Sequence, residues 1–149
     1  MAVKPIPDGY HTITPYVVVE GAANLIEFLK QAFEGNVEVR MDLPGGKVAH
    51  AEVRLGDSML MLADASAQNP AQTAGIYLYV PDVDATHRRA VQAGATSLAE
   101  PANQFYGDRN SRVRDAWGNV WGIATHVEDV SGDEMKRRAE ASMKKSAQA

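Results

Sequence analysis

The sequence predicts an α+β fold built from two copies of one small βαβββ module, and three observations carry that expectation. Tyr16-Val17-Val18-Val19-Glu20-Gly21 runs into a helical stretch, Ala22 to Phe33, and Tyr77-Leu78-Tyr79-Val80-Pro81-Asp82 runs into another, Val83 to Ala93, at an offset of 61 residues. Each helix stops at a glycine, Gly35 or Gly94. Each copy closes with a glycine turn and an apolar strand: Gly56-Asp57-Ser58 into Met59-Leu60-Met61-Leu62, and Trp117-Gly118-Asn119 into Val120-Trp121-Gly122-Ile123. A fixed period reports architecture, and a module of this size cannot bury its own face, so the two copies must pair.

The elements follow in order. Pro5 and Pro7 oppose helix in the lead-in, residues 1–9. Thr12 to Val19 is β-branched and aromatic and reads as a strand. Leu25, Leu29, Ala32 and Phe33 share one helical face. Val37 to Met41 reads as a strand and Leu43-Pro44-Gly45-Gly46 as a turn. From Val48 to Leu55 the chain alternates, with His50, Glu52 and Arg54 on one side and Ala51, Val53 and Leu55 on the other. That period of two marks a half-exposed strand. The first module thus spans about 10–64, a small polar linker 65–74, and the second module about 75–127. Asp82 is placed to cap the second helix. Glu100 to Arg109 reads as irregular and contains the loop Phe105-Tyr106-Gly107-Asp108-Arg109. Ser131-Gly132-Asp133-Glu134 is a capping box opening a last helix, about 131–146, with Met135, Ala139 and Met143 on one face. That face can pack on the body or on a second subunit.

Composition excludes several classes. At 149 residues the chain fits one domain. No segment reaches the ~18 apolar residues of a membrane span, and no secretory signal is visible at the N-terminus. The absence of cysteine removes disulfides, thiolate metal sites and a cysteine nucleophile, and fits a cytoplasmic protein. A net charge of -4 offers no basic surface for nucleic acid. Lys136-Arg137-Arg138 and Lys144-Lys145 alternate with acids, as on a solvated helix face.

Several segments together resemble the vicinal oxygen chelate superfamily of glyoxalases, bleomycin-resistance proteins and dioxygenases, and most closely its PhnB-like branch. They are Thr14-Pro15-Tyr16, His50-Ala51-Glu52-Val53-Arg54-Leu55-Gly56-Asp57-Ser58, Tyr106-Gly107-Asp108-Arg109, Asp115-Ala116-Trp117-Gly118-Asn119 and Thr125-His126-Val127-Glu128-Asp129. The resemblance covers about residues 10–140. It implies paired βαβββ modules forming an incomplete barrel around a cleft, commonly as a homodimer. Metal-dependent members carry ligands at positions that correspond here to Thr14, Met61, Gly75 and Gly122. Neither a thioether nor a glycine supplies the carboxylate or imidazole a divalent ion needs. The inherited metal site is therefore expected to be absent, and no cofactor is implied.

Residues in phase with those positions should line the cleft: Tyr16, Val18, Met59, Ala63, Tyr77, Tyr79, Val120, Ala124 and His126. Rings and thioethers suit an organic ligand, although the same side chains can equally fill a core. In the loop, Tyr106, Asp108 and Arg109 are candidates, because an Asp-paired guanidinium presents a fixed fork to an anion. The alternative is an Asp–Arg pair that pins the loop, or a dimer contact. His50 and Glu52 stand roughly 6.6 Å apart on one strand face. They read as part of a relocated metal site with His126, as a base with its orienting carboxylate, or as a solvated face with an ion pair to Arg54. His87, beside Arg88-Arg89, reads as exposed.

Three functions follow as expectations. The first is a metal-independent protein binding a small, partly aromatic organic molecule through Tyr16, Met59, Met61, Tyr77, Tyr79, Tyr106, Asp108, Arg109 and His126. The second is a lyase, isomerase or dioxygenase-like enzyme with metal at His50, Glu52 and His126. The third is a partner-binding dimer with a closed cleft.

Overall fold

The computed structural model describes residues 2–149. The apolar side of the first helix organises the first module. In α1 (Ala22–Phe33), Leu25, Ile26, Phe28, Leu29, Ala32 and Phe33 are buried, a stripe at helical spacing. The stripe rests on a sheet of β1 (Tyr16–Val19), β2 (Asn36–Asp42), β3 (Val48–Leu55) and β4 (Ser58–Asp64), in spatial order β1-β4-β3-β2. β1 runs parallel to β4, as a helical crossover dictates, and the remaining pairs are antiparallel.

The second module repeats this plan. β5 (Gly75–Tyr79), α2 (Val83–Gln92), β6 (Thr96–Asn103), β7 (Asp108–Arg114) and β8 (Val120–His126) give a sheet of order β5-β8-β7-β6. The last helix, α3, covers Gly132–Ala147. The architecture is thus α+β, with two paired βαβββ modules, two unclosed four-stranded sheets and a C-terminal helix.

The repeat reaches the helix caps. Asp64 at the end of β4 accepts from the backbone N–H of Gly21 and Ala22 at 2.8 and 3.0 Å, so a strand from elsewhere in the module caps α1. Its counterpart 61 residues on, Thr125, accepts from Val83 N at 2.9 Å at the start of α2, where Asp82 also accepts from Ala85 N. Free helix N–H groups need such acceptors.

The two helices pack against each other and each covers one face of its own sheet. Phe33 of α1 meets Trp121 of β8 with ring centroids 4.8 Å apart, and one buried core runs through both modules. Strand alternation then sends Val17, Val53, Leu60, Leu62, Trp121 and Ile123 inward. It sends Tyr16, Val39, Met41, Tyr77 and Tyr79 to the opposite, exposed faces.

Three expectations need correction. Only Tyr16–Val19 of the predicted first strand pairs, because Pro15 has no N–H to donate to a ladder. The stretch read as irregular is largely strand: β6 extends to Asn103 and β7 starts at Asp108, leaving 104–107 as the turn. Pro101 hid this, and β6 tolerates it as an edge strand with shifted registers. His87 is buried, on the α2 face with Val83, Thr86 and Ala90. Its Nδ1 meets Ser111 Oγ at 2.8 Å and its Nε2 meets Ser97 Oγ at 3.1 Å. No residue of α3 is fully buried, but Met135 and Ala139 are half-buried, so the first half of that face rests on the body while Met143 stays exposed. Arg138 tethers α3 through two bonds to Glu128, at 2.9 and 2.7 Å, and one to the Phe105 carbonyl.

Candidate functional site

A groove of about 910 Å³ separates the modules. Tyr77 and Tyr79 of β5 line it on one side, Arg54 and Met59 near the β3–β4 turn on the other, with Phe33 and Trp121 also contributing apolar surface. Its size and its position between modules are those of small-molecule sites. Gly122 makes room for one wall: a Cβ there would lie 2.7 Å from the Tyr77 ring, so the ring can rest on β8 only because position 122 has no side chain.

The tyrosine hydroxyls are tied down. Tyr77 and Tyr79 both donate to Asp108 Oδ2 at 2.9 Å, and their rings meet edge to face with centroids 5.3 Å apart. His126 Nδ1 donates to the other Asp108 oxygen at 2.9 Å, and its Nε2 reaches Asp129 at 2.8 Å. Asn110 donates to the hydroxyls of Tyr77 and Tyr106 at 3.0 and 2.6 Å. Three strands and the 104–107 turn therefore hold one polar network behind a pair of rings that remain 48% and 62% exposed. Such a network fixes ring orientation in advance.

The network sets the charges. Burial alone would raise the Asp108 carboxyl, but bonds from His126, Tyr77 and Tyr79 outweigh it and hold the group below the usual range. Burial, followed by the Asp108 carboxylate, pushes the Tyr77 phenol up against an opposing bond from Asn110; the Asp108 bond comes first in raising Tyr79. His126 is raised above an ordinary imidazole, first by Asp129 and then by Asp108. A raised folded-state value means the ion pairs contribute fully below about pH 6.5, the unfolded value, and are lost as pH rises through the folded one. The His126 ring resonance should accordingly titrate with a midpoint above 6.5 in an NMR pH series, and Asp129→Asn should lower that midpoint.

The expected site residues divide into three groups. Tyr77, Tyr79, Tyr106, Asp108 and His126 converge in the network, and Met59 shares the groove with the tyrosine pair. Tyr16 and Met61 lie on the outer face of the other sheet, away from the groove lining; Met61 instead borders a cavity of about 500 Å³ beneath residues 5–14. Arg109 corrects the expected fork. As the neighbour of Asp108 on a strand it points to the opposite face, where it grips Asp84 at 2.8 and 2.9 Å and Asn103 at 3.3 Å. Asn110 is the member that sequence reasoning missed. It sits two residues beyond Asp108, and reading the segment as irregular concealed that shared parity.

The turn itself is built around Gly107, whose φ is +101°. Its carbonyl accepts from Val127 N and Glu128 N, and an added Cβ would overlap the Glu128 carbonyl. Gly107→Ala should therefore cost about 2 kcal/mol or more and displace Tyr106. A denaturant midpoint within error of the parent would show that the turn yields instead.

The metal-ligand positions of the wider fold do not suit a divalent ion here. Thr14 precedes β1, Met61 is a thioether, Gly75 has no side chain, and the Tyr77 ring fills the space beside Gly122. Nor do His50, Glu52 and His126 meet within the chain. His50 and Glu52 bond each other on β3, while both His126 nitrogens engage aspartates. Among the described residues no three His, Cys, Asp or Glu side chains are placed to hold a metal.

The chain belongs to the Glyoxalase/Bleomycin resistance protein/Dioxygenase superfamily, which it matches over residues 10–123. An uncharacterised protein of Mycobacterium bovis is 34% identical over 135 residues, covering 83% of this chain and 89% of its own. A Mycobacterium tuberculosis protein is equally identical, with 79% of its length covered. Among solved structures, TioX from Micromonospora sp. ML1 is similar, with a TM-score of 0.67 and 20% identity, covering 78% of this chain and 99% of that one. TnmS3, an antibiotic binding protein from Streptomyces sp. CB03234, is similar with a TM-score of 0.63 and 23% identity, covering 85% and 98%. These likenesses establish the shared fold.

Proposed function

We propose that this protein is a metal-independent binder of a small, partly aromatic organic molecule, held in the inter-module groove against Tyr77 and Tyr79. The observation that carries the reading is the pair of exposed rings fixed by Asp108, Asn110 and His126 beside an apolar groove. Large, pre-oriented rings give contact area at little entropic cost, and an adjacent apolar floor removes the ligand from water. The unsuitability of the metal positions supports the same reading, as does the likeness to TnmS3, an antibiotic binding protein.

The protein works as a homodimer on this proposal. Val39 and Met41 of the edge strand β2, with Leu43 just beyond it, leave large apolar side chains exposed away from the groove. Contiguous exposed apolar surface marks an interaction site. The test of function is a fluorescence and calorimetric titration of the purified protein with planar aromatic probes, including an anthraquinone and a naphthalene sulfonate, in buffer containing chelator. Saturable binding at one site per chain is expected. An unresponsive groove across the panel would leave the closed-cleft, partner-binding reading in its place.

A further inference from the structure

The outer face of the first sheet carries a second constellation, separate from the groove. Tyr16 Oη lies 3.1 Å from His50 Nδ1, and His50 Nε2 lies 2.7 Å from Glu52 Oε2. The groups come from β1 and β3, on opposite sides of β4, with Glu52 and Tyr16 both in register with Met61. An ionised carboxylate only accepts, so Nε2 of a neutral His50 carries the ring proton and Nδ1 offers its lone pair to the Tyr16 hydroxyl. The His50 and Glu52 side chains are 23% and 15% exposed, whereas Tyr16 is 47% exposed. The base is sheltered and the phenol is within reach of a ligand.

The internal repeat supplies the control. Tyr77 is in register with Gly122 as Tyr16 is with Met61, so Tyr77 is the counterpart of Tyr16. By the same registers Asn110 stands for His50 and Arg112 for Glu52. An amide and a guanidinium cannot take a phenol proton. Tyr77 and Tyr79 instead face the Asp108 carboxylate, which already receives His126. One fold position has thus diverged into a phenol facing an imidazole in one module and a phenol bonded to an ion-paired carboxylate in the other.

We propose that Tyr16, His50 and Glu52 form a nucleophilic relay, with the Tyr16 oxygen as the attacking atom toward an electrophilic organic ligand of the activated acyl or sulfonyl class. The Tyr16 oxygen forms a bond to the electrophilic carbon or sulfur, and the ligand's leaving group departs with the bonding electron pair. The phenol proton passes to His50 Nδ1, and Glu52 stabilises the resulting imidazolium. No oxidant, reductant or metal takes part. This inference goes beyond the groove and does not rest on binding there.

The experiment treats the full-length protein with an arylsulfonyl fluoride and follows modification of each tyrosine by peptide mass spectrometry. Tyr16 should be modified at least about tenfold faster than Tyr79, although Tyr79 is the more exposed at 62%. His50→Asn and Glu52→Gln should each slow Tyr16 by about tenfold or more and leave the Tyr79 rate unchanged, since general-base assistance is worth roughly 10² to 10⁴. The Tyr79 rate in the same sample reports that each variant is folded, and Glu52→Gln, nearly isosteric, decides the matter if His50→Asn is not. A Tyr16 rate at or below that of Tyr79, or one that Glu52→Gln does not move in folded protein, would overturn the proposal.

Discussion

Asp115→Ala should destabilise the protein by about 3–5 kcal/mol, and so lower the melting temperature by roughly 10 °C or more. Asp115 is buried in the turn between β7 and β8 and accepts four hydrogen bonds. Its Oδ1 takes Trp117 N at 3.0 Å and Asn119 N at 2.9 Å; its Oδ2 takes Asn119 Nδ2 at 3.0 Å and Trp121 Nε1 at 2.9 Å. Truncation strands these donors, two of them on side chains with 0% exposure, and each orphan costs about 1–3 kcal/mol. The damage spreads, because Asn119 Oδ1 also receives Ala74 N ahead of β5, and Trp121 packs on Phe33 where the modules join. Asp115→Asn retains one acceptor and should cost roughly half as much. Chemical denaturation measures both variants, and a loss below about 1 kcal/mol for Asp115→Ala would show that the turn holds without its carboxylate.

Tyr77→Ala and Tyr79→Ala should each weaken binding of a planar aromatic ligand by about 10- to 100-fold, because each removes a fixed ring from the groove wall. The phenylalanine variants separate contact from hydrogen bonding. Tyr79→Phe keeps the ring and deletes one bond to Asp108, so its effect should stay within about fivefold. Tyr77→Phe should cost somewhat more, since the Tyr77 hydroxyl joins Asp108 to Asn110 and through it to Tyr106. Equal losses for alanine and phenylalanine variants would mean that the hydroxyls, and not the rings, meet the ligand. Double substitution need not be additive, because the two rings touch.

Much of the fold was legible because it is written in periodicity. An offset of 61 residues located both modules, and strand parity put Tyr16 in phase with Met61 and Tyr77 with Gly122, although Tyr16 and Met61 do not share the groove with Tyr77 and Tyr79 as that parity led one to expect. The motif Asp115-Ala116-Trp117-Gly118-Asn119 turns out to be a hydrogen-bond hub that closes the last hairpin. What parity could not supply was partnership across the fold. Arg109 follows Asp108 in sequence yet faces away from it to reach Asp84 on α2. His87 stands among charged neighbours but turns its ring to Ser111 and Ser97. Asn110 was hidden by Pro101, whose presence argues against a strand unless the strand lies at an edge. Which sheet faces share a groove depends on helix packing, and no local pattern encodes that.

On the proposed function, the groove would let this family fold bind its ligand without a metal. Ligand strength on that proposal comes from ring contact and burial, terms that need no ion, while positions 14, 61, 75 and 122 hold a hydroxyl, a thioether and two glycines. The most direct test is one titration performed twice on the same preparation: with a planar aromatic probe in chelator, and again after incubation with zinc, nickel, manganese and iron, with elemental analysis of both samples. The account predicts the same saturable affinity in both, lost in Tyr77→Ala and Tyr79→Ala, with metal well below one equivalent per chain. Binding that appears only in the metal-loaded sample, with about one equivalent retained and then lost in His50→Ala or His126→Ala, would contradict it.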